Sequence, residues 1–275
     1  MIIDGRKLAD DILEEAKNEI ERLGLKLKLA IILVGDDPIS LSYISQKEKA
    51  CTKVGMEFSL HRFPEKINKK DLLVEISEAC HNSSGAIIQL PLPAGLAGQD
   101  VFDAIPFNKD VDILTTVSLG RYHSGDFSIL PPTVAAIAHI LEDTLIKGRY
   151  AVIVGAGRLV GRPLANWLIS KGATVSIMNN STPDISFFTS QADIIISGVG
   201  KVGLITGDMV KAGAVVIDAG SSVEGNTIKG DIVLESVSKV AAKISPVPGG
   251  VGPLTTAFLI TNMIILNKRY GKSDI

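Results

Sequence analysis

Cysteine is scarce in this chain, since only Cys51 and Cys80 occur among its 275 residues. Two cysteines exclude a disulfide framework, and their spacing excludes a CxxC metal site. Both fall in segments whose pattern predicts helix, where a buried free thiol is the usual situation. We therefore expect a protein of the reducing cytoplasm.

Aromatic side chains and strong net charge are also lacking. Aromatic residues make up 5% of the chain, the formal net charge is −2, and no basic run occurs. A surface for nucleic acid would need both electrostatic attraction and stacking platforms, so we expect none. The histidines have no paired ligand spacing and predict no metal site; they are His61, His81, His123 and His139.

Long apolar runs are missing as well. The longest lies at residues 258–266, and Thr261 and Asn262 interrupt it, so it is too short and too polar to span a bilayer. The first five residues lack the basic region and apolar run of a signal peptide. These absences predict no membrane association.

The chain does contain a repeated alternation of strand and helix patterns. Short apolar runs predict buried strands at residues 29–34, 57–62, 85–90, 150–154, 174–178, 193–197 and 214–218. Helical periodicity or apolar runs bounded by turn residues predict helices at 6–23, 40–54, 69–80, 158–170 and 253–268. Such alternation is typical of parallel sheets with crossover helices.

These patterns predict an α/β fold with two domains, which also agrees with the chain length. We expect an N-terminal α/β substrate domain of residues 1–118 with 253–275. Residues 119–252 should form a Rossmann-like dinucleotide-binding domain with a mostly parallel sheet. The last helix is expected to pack back on the first domain, and the joint should lie between residues 115 and 132.

A glycine-rich turn follows the predicted strand at residues 150–154. Gly155, Ala156, Gly157 and Arg158 form a GxG start, and Gly161 comes one residue later than in GxGxxG. Glycine lets the backbone approach a pyrophosphate, and the free N–H groups at a helix start attract the anion. The position after a buried strand favours a dinucleotide site over a plain turn.

The next predicted strand ends at Met178, and its continuation bears on the choice of dinucleotide. An NAD site usually places a carboxylate here for the ribose 2′-hydroxyl, but Asn180 and Ser181 precede the first carboxylate, Asp184. Asn180 and Ser181 would not repel a 2′-phosphate. Either Arg158 or Arg162 holds this phosphate, or both are plain surface residues. NADP is therefore favoured over NAD.

The first half of the chain offers a candidate base. Tyr43 and Lys47 are four residues apart, so they share one helix face that continues through Ala50 and Val54. On a partly apolar face, desolvation lowers the pKa of a lysine and lets it act as a base. From spacing alone, a solvated lysine beside a tyrosine is the commoner alternative.

Three loops complete the candidate substrate site, each with a plain alternative. Gln89 follows a predicted parallel strand, where ligands gather, or it caps a loop. The carboxylates of Lys109-Asp110-Val111-Asp112 bind a ligand or are simply solvated. Residues 245–253 contain three glycines and three prolines and form either a rigid ligand surface or a domain hinge.

Taken in order, these segments resemble the bifunctional methylenetetrahydrofolate dehydrogenase/methenyltetrahydrofolate cyclohydrolase family. The similarity runs from Asp4-Gly5 to the last helix. Its motifs are Tyr43 with Lys47, Gln89-Leu90-Pro91-Leu92-Pro93, Lys109-Asp110-Val111-Asp112, Val160-Gly161-Arg162-Pro163, residues 207–211, residues 216–218 and residues 246–253. The glutamine motif and the last motif are the most specific.

The resemblance implies oxidation of 5,10-methylenetetrahydrofolate with NADP, then hydrolysis of the methenyl product to 10-formyltetrahydrofolate, by a homodimer. It implies that Lys47 is the acid/base of the hydrolysis, that Tyr43 stacks on the folate, that Gln89 hydrogen-bonds Lys47, and that Asp112 binds the pterin. Further implied folate contacts are Ile88, Leu90, Pro248, Gly249, Gly250, Val251 and Gly252. Implied cofactor contacts are Gly155, Ala156, Gly157, Arg158, Asn180, Ser181 and Ser221.

The chain departs from the family pattern at three places. Ile113 stands where the family usually has glycine, Leu130-Pro131-Pro132-Thr133-Val134 replaces Pro-Cys-Thr-Pro, and Ala156-Gly157 replaces Arg-Ser. Two other interpretations remain: a shikimate-type two-domain dehydrogenase, and a catalytically silent protein that binds folate or NADP.

Overall fold

The chain divides into two compact units in the computed structural model, which describes residues 1–225 and 227–271. The three-stranded unit consists of Asp10–Pro132 and the chain from Thr256 onward. The five-stranded unit consists of Met1–Ala9 and Thr133–Thr255. Each unit has a parallel sheet of its own, so the predicted α/β class is confirmed.

Strands and helices alternate along the first part of the chain. It forms α1 (Gly5–Leu23), β1 (Lys28–Val34), α2 (Pro38–Lys53), β2 (Glu57–Phe63), α3 (Lys69–His81), β3 (Gly85–Ile88), α4 (Gln99–Phe102) and α5 (Thr116–His123). The strand order is β2-β1-β3, and both pairs are parallel. The central strand β1 is buried from Leu29 to Val34, because neighbours cover both faces, and this explains its continuous apolar sequence.

The second part of the chain forms the five-stranded sheet and the last helix. Its elements are α6 (Pro132–Ile140), β4 (Tyr150–Val154), α7 (Gly161–Ser170), β5 (Thr174–Met178), α8 (Ile185–Thr189), β6 (Ile194–Ser197), β7 (Val215–Asp218), β8 (Ser222–Glu224), β9 (Thr227–Lys229), α9 (Leu234–Val237), β10 (Lys243–Ser245) and α10 (Val251–Tyr270). Strands β8 and β9 form a separate antiparallel hairpin.

The strand order of the large sheet is β10-β7-β6-β4-β5, and all its pairs are parallel. The chain steps from β4 to β5 on one side and then crosses to β6 on the other side of β4. The order therefore reverses between β4 and β6. In open α/β sheets, ligands bind at such a switch point, beyond the carboxyl ends of the strands.

Some elements differ from the sequence-based prediction for local reasons. Helix α7 begins at Gly161 instead of residue 158, because the preceding residues are used in the glycine turn. Strand β3 ends at Ile88, before the cis Leu90–Pro91 peptide. Helix α6 was not predicted, since its apolar sequence lacks amphipathic periodicity. The hairpin of β8 and β9 is too short and exposed to give a strand pattern.

Helix α10 carries the longest apolar run, and from Thr256 onward it belongs to the three-stranded unit, as predicted. The polar residue that interrupts this run, Asn262, is itself buried. Its side-chain amide donates to the carbonyl oxygens of Val111 at 3.0 Å and Leu130 at 2.8 Å. Asn262 thus joins α10 to two loops of the unit. None of the described helices combines the length and the apolar character that a bilayer crossing requires.

We predict that Asn262→Leu lowers the free energy of unfolding by about 1–3 kcal/mol, because one buried and one partly buried carbonyl oxygen lose their donor while the side-chain volume is kept. Urea denaturation of the purified variant measures this. Thr261→Val is the matched control, since the Thr261 hydroxyl bonds only to Ala257 within α10. Equal stability of Asn262→Leu and the control would contradict the assigned role.

Candidate active site

Helix α2 starts directly after the carboxyl end of β1. Gly35 takes a left-handed turn at φ 88°, and Pro38 occupies the first turn of the helix. The Asp37 carboxylate caps the helix by accepting from the Ser40 backbone N–H and hydroxyl, both at 2.8 Å. This fixed start sets the positions of Tyr43 and Lys47 on the following turns.

The Lys47 amine meets the side chain of Gln89. Its Nζ donates to Gln89 Oε1 at 2.8 Å. Gln89 is buried, and its Nε2 donates to the carbonyl oxygen of Leu90 at 2.9 Å, which fixes the orientation of the amide. The backbone N–H of Gln89 also donates to Ile32 of β1 at 2.9 Å. Gln89 is thus held as a rigid acceptor beyond the end of β3.

Burial disfavours the charged form of this amine. It lowers the pKa of Lys47 below the ordinary lysine value, and the charge of Asp112 opposes this shift in part. The Cys51 thiol, one turn further along α2, is fully buried, and burial raises its pKa to about 12. The thiol therefore stays protonated and carries no charge near neutral pH.

Asp112 lies in a loop that another carboxylate shapes. Asp110 is buried and accepts from the backbone N–H groups of Leu114 at 3.0 Å and Thr115 at 2.8 Å. Asp110 also pairs in parallel with Ala86 of β3, so the loop leaves the sheet beside that strand. The sequence motif pointed to Asp112 but did not identify Asp110 as its anchor.

The residue after Asp112 adopts an unusual backbone conformation. Ile113 has φ 58°, in the left-handed region that favours glycine, and its side chain is buried. A β-branched residue is strained there. The loop therefore keeps a glycine-type conformation although the chain has isoleucine at the position where the family usually has glycine.

Of the predicted residues in the three-stranded unit, the structure joins Lys47 to Gln89 by a hydrogen bond, and the charge of Asp112 acts on Lys47. Ile88 and Leu90 flank Gln89 in the chain. Tyr43 lies one turn before Lys47 on α2 and is partly exposed. This arrangement can hold a neutral amine beside a carboxylate that accepts hydrogen bonds from a ligand.

The glycine turn of the five-stranded unit is tightly wound. A Cβ on Gly155, which has φ 112°, would lie 2.8 Å from the carbonyl oxygen of Gly198. A Cβ on Gly161 would overlap the carbonyl oxygen of Gly155. Gly157 is exposed, and Arg162 Nε donates to the carbonyl oxygen of Ala156 at 2.9 Å. The turn thus offers a bare backbone surface with a guanidinium group beside it, as a pyrophosphate site requires.

The other predicted cofactor residues lie at the same edge of the large sheet. Asn180 and Ser181 are exposed just beyond the end of β5, and Ser221 is exposed after β7. The backbone N–H of Gly155 donates to Met178 at 3.0 Å, which joins the glycine turn to the end of β5. The structure therefore places these residues around the switch point. Arg158, partly buried, belongs to the same turn.

The proline- and glycine-rich segment belongs to the five-stranded unit, whereas Lys47, Gln89 and Asp112 belong to the three-stranded unit. The Val247–Pro248 peptide is cis, and Gly249 has φ 97°. A Cβ on Gly250 would overlap the carbonyl oxygen of Pro246. The segment of Pro248, Gly249, Gly250, Val251 and Gly252 therefore has a restricted backbone.

A parallel sheet with a glycine turn at its switch point defines the class of dinucleotide-dependent α/β enzymes. The described residues contain no group of three or more His, Cys, Asp or Glu side chains that could hold a metal ion. The chain thus carries a lysine amine bonded to Gln89 in one unit and a glycine turn of the dinucleotide-binding type in the other.

Comparison with known proteins identifies the family. A model of the catalytic domain of tetrahydrofolate dehydrogenase/cyclohydrolase matches residues 3–112, and a model of the NAD(P)-binding domain of the same family matches residues 131–270. The chain belongs to the tetrahydrofolate dehydrogenase/cyclohydrolase family and is a bifunctional enzyme. The resemblance drawn from its motifs is confirmed.

Individual relatives match over nearly their full length. The bifunctional protein FolD of Caldanaerobacter subterraneus subsp. tengcongensis is 41% identical, with 99% of each chain covered. The FolD structure from Campylobacter jejuni is 38% identical, has a TM-score of 0.93 and covers 98% of this chain and 99% of its own. The Trypanosoma brucei enzyme, solved with NADP cofactor and an inhibitor, is 30% identical, has a TM-score of 0.94 and covers 99% of both chains.

The shikimate-type alternative shares only the fold. A shikimate dehydrogenase from Aquifex aeolicus is 13% identical, with a TM-score of 0.55 and coverage of 88% of this chain and 93% of its own. The expected nicotinamide dinucleotide cofactor is confirmed at the level of the NAD(P)-binding domain.

We predict that Ile113→Gly is more stable than Ile113→Ala by about 1 kcal/mol, although glycine normally costs stability. Both variants lose the buried side chain, but only glycine adopts φ 58° without strain. Equilibrium urea unfolding of the two variants measures the difference. An alanine variant as stable as the glycine variant would show that the backbone at this position is not strained.

Proposed function

We propose that this enzyme oxidises 5,10-methylenetetrahydrofolate to the methenyl form with NADP and hydrolyses the methenyl form to 10-formyltetrahydrofolate. The observation that carries the proposal is the partly buried Lys47 amine, which bonds to Gln89 and interacts electrostatically with Asp112. We assign folate binding to the N-terminal domain with the last helix, residues 1–118 and 253–275. We assign cofactor binding to residues 119–252, which contain the glycine turn.

The pterin ring presents adjacent N–H donors, and a carboxylate such as Asp112 can accept two of them together. Tyr43, one turn before Lys47, would stack on the flat ring. Gln89, with its neighbours Ile88 and Leu90, would line the same cleft. The segment from Pro248 to Gly252 is assigned to the folate site on the resemblance and on its restricted backbone.

The oxidation needs little covalent help from the protein. A nicotinamide ring, when bound at the glycine turn, would supply the hydride acceptor. Loss of hydride from the methylene carbon leaves a cation that is delocalised over two nitrogens. Positioning of the folate by Asp112 and Tyr43 therefore supplies most of the rate.

The hydrolysis needs a proton acceptor, and Lys47 is assigned this role. A neutral amine takes a proton from the water that attacks the methenyl carbon and returns it to the nitrogen that leaves that carbon. Burial supports this role because it lowers the pKa of Lys47 and so increases the neutral fraction near neutral pH. Gln89 holds the amine in position without adding a charge.

Three features support NADP as the cofactor. The Trypanosoma brucei relative binds NADP. Asn180 and Ser181 present no carboxylate against a 2′-phosphate beyond β5. Arg158 and Arg162 place two guanidinium groups in or beside the glycine turn, where Ala156 and Gly157 leave the backbone open. Ser221 is assigned as a further contact.

We also propose that the enzyme is a homodimer of the cytoplasm. The resemblance to the family supports the dimer. The two cysteines, Cys51 and Cys80, are free and buried, which agrees with a reducing compartment.

We predict that Lys47→Met lowers the cyclohydrolase rate by about 100-fold or more, the scale of a lost general acid/base, and leaves most of the hydride transfer. Loss of methenyl absorbance measures hydrolysis, and NADPH formation measures oxidation. Lys49→Met is the matched control, because Lys49 is an exposed lysine on the same helix. Unimpaired methenyl hydrolysis in Lys47→Met would refute the assignment. Absence of both activities in the wild type would instead indicate a silent binding protein.

We predict that Asp112→Asn raises the KM for the folate and moves the cyclohydrolase pH profile to lower pH. The Asp112 charge raises the pKa of Lys47, so its removal lowers that pKa further and keeps the amine neutral in more acidic solution. The rate of methenyl hydrolysis, measured across pH, checks the direction. A shift to higher pH, or an unchanged folate KM, would contradict the assigned position of Asp112.

A further inference from the structure

Two buried carboxylates lie at the carboxyl edge of the large sheet and play no part in the chemistry above. Asp218 ends β7, and Asp231 follows the hairpin of β8 and β9. Their exposed fractions are 2% and 0%. Groups of this kind are rarely buried without a specific set of partners.

Asp231 binds the loop that follows β6 at three points. Its Oδ2 accepts from the Ser197 hydroxyl at 2.7 Å and from the backbone N–H of Val199 at 2.8 Å. Its Oδ1 accepts from the backbone N–H of Lys201 at 2.7 Å. One carboxylate therefore defines the course of residues 197–201.

Asp218 holds Asp231 in place. Its Oδ1 accepts from the backbone N–H groups of Gly220 at 3.0 Å and Asp231 at 3.2 Å, and its Oδ2 accepts from Ile232 at 3.0 Å. Burial raises the pKa of Asp218 to about 7, and the charge of Asp231 adds to the shift. Both carboxylates are thus satisfied by N–H and O–H donors.

Two glycines leave space for the two carboxylates, and each glycine lies close in the chain to one carboxylate and packs against the other. A Cβ on Gly220, two residues after Asp218, would overlap the carboxylate of Asp231. A Cβ on Gly230, which precedes Asp231, would overlap the carboxylate of Asp218. The segments around the two carboxylates therefore pack with no space for other side chains.

The loop that Asp231 holds, residues 197–201, lies at the switch point of the large sheet. The backbone N–H of Gly198 donates to Val154 at 2.9 Å, and Gly198 contacts the glycine turn at Gly155. Val199, Gly200 and Lys201 are exposed, and Gly200 has φ 70°. The Ser222 hydroxyl donates to the carbonyl oxygen of Gly200 at 2.6 Å. The glycine turn and this loop are therefore adjacent at the place where a dinucleotide binds.

We infer that Asp231, supported by Asp218, is a positioning residue for the nicotinamide dinucleotide. It holds residues 197–201 as a wall of the cofactor site beside the turn at Gly155, and does not itself touch the ligand. A loop ordered before binding lowers the entropic cost of binding. The inference rests on the proposed function for the place of the cofactor.

The test compares Asp231→Asn with Asp193→Asn. Asp231 binds Ser197 at the carboxyl end of β6, whereas Asp193 lies at the other end of that strand. Asp193 directly precedes β6, accepts from the backbone N–H of Tyr150 at 3.0 Å and pairs with Lys211. Both variants lose one acceptor oxygen, so both lower the melting temperature. Only Asp231→Asn is expected to raise the Kd for NADPH, by about tenfold or more, since its lost contacts shape the crevice.

Two further measurements separate positioning from a general loss of structure. Methenyl hydrolysis consumes no nicotinamide cofactor, so Asp231→Asn should keep its cyclohydrolase kcat while its KM for NADP rises. If Asp231→Asn does not fold, Ser197→Ala removes a single bond to Asp231 and should weaken NADPH binding a few-fold with hydrolysis intact.

Two outcomes would overturn the inference. In the first, Asp231→Asn binds NADPH as tightly as the wild type, or Ser197→Ala does so where that variant replaces it. In the second, Asp193→Asn weakens NADPH binding as much as Asp231→Asn. A wild-type enzyme that binds no NADPH would remove the proposed function together with the inference. If the wild type binds NADPH normally and Asp231→Asn binds it equally well, only the inference is overturned.

Discussion

The hydrogen bond from the Lys47 amine to the Gln89 amide oxygen is the interaction on which the proposed chemistry depends. Burial alone would favour the neutral form of the amine but would not fix its position. A carboxylate in place of Gln89 would hold it but would also restore its charge. The neutral amide fixes the position of the amine without that effect, and the Asp112 charge opposes the shift only in part.

Both units shape their loops with buried or capping carboxylates that accept backbone N–H groups. Asp37 starts α2, Asp110 closes the loop of Asp112, and Asp231 holds the loop after β6. Asp37 lies beyond the carboxyl end of β1, and Asp231 binds Ser197 at the carboxyl end of β6, whereas Asp110 pairs with Ala86 near the start of β3. Such charge-assisted bonds are stronger than neutral ones, which suits loops that must keep one shape without a regular hydrogen-bond ladder.

Apolar runs were sufficient for buried strands such as β1, β4 and β5, whereas the short strands β8, β9 and β10 gave no such signal. Helical spacing placed Tyr43 and Lys47 on one face of α2, but only the family resemblance gave them a predicted role. Asp231 could not be found in this way, because the residues it binds are 30 to 34 positions away in the chain. The conformation of Ile113 was equally hidden, since it contradicts the preference of a β-branched residue and depends on tertiary packing.

Cys51 lies one turn after Lys47 on α2, fully buried and with its thiol held in the protonated form. The reactive species of a cysteine is the thiolate. Electrophiles that react with thiolates, and soft metal ions that bind them, would therefore not react with Cys51 while the protein is folded. Chemical modification of Cys51 would instead show that helix α2 has unfolded locally. The reactivity of this thiol therefore indicates whether the surroundings of Lys47 are intact.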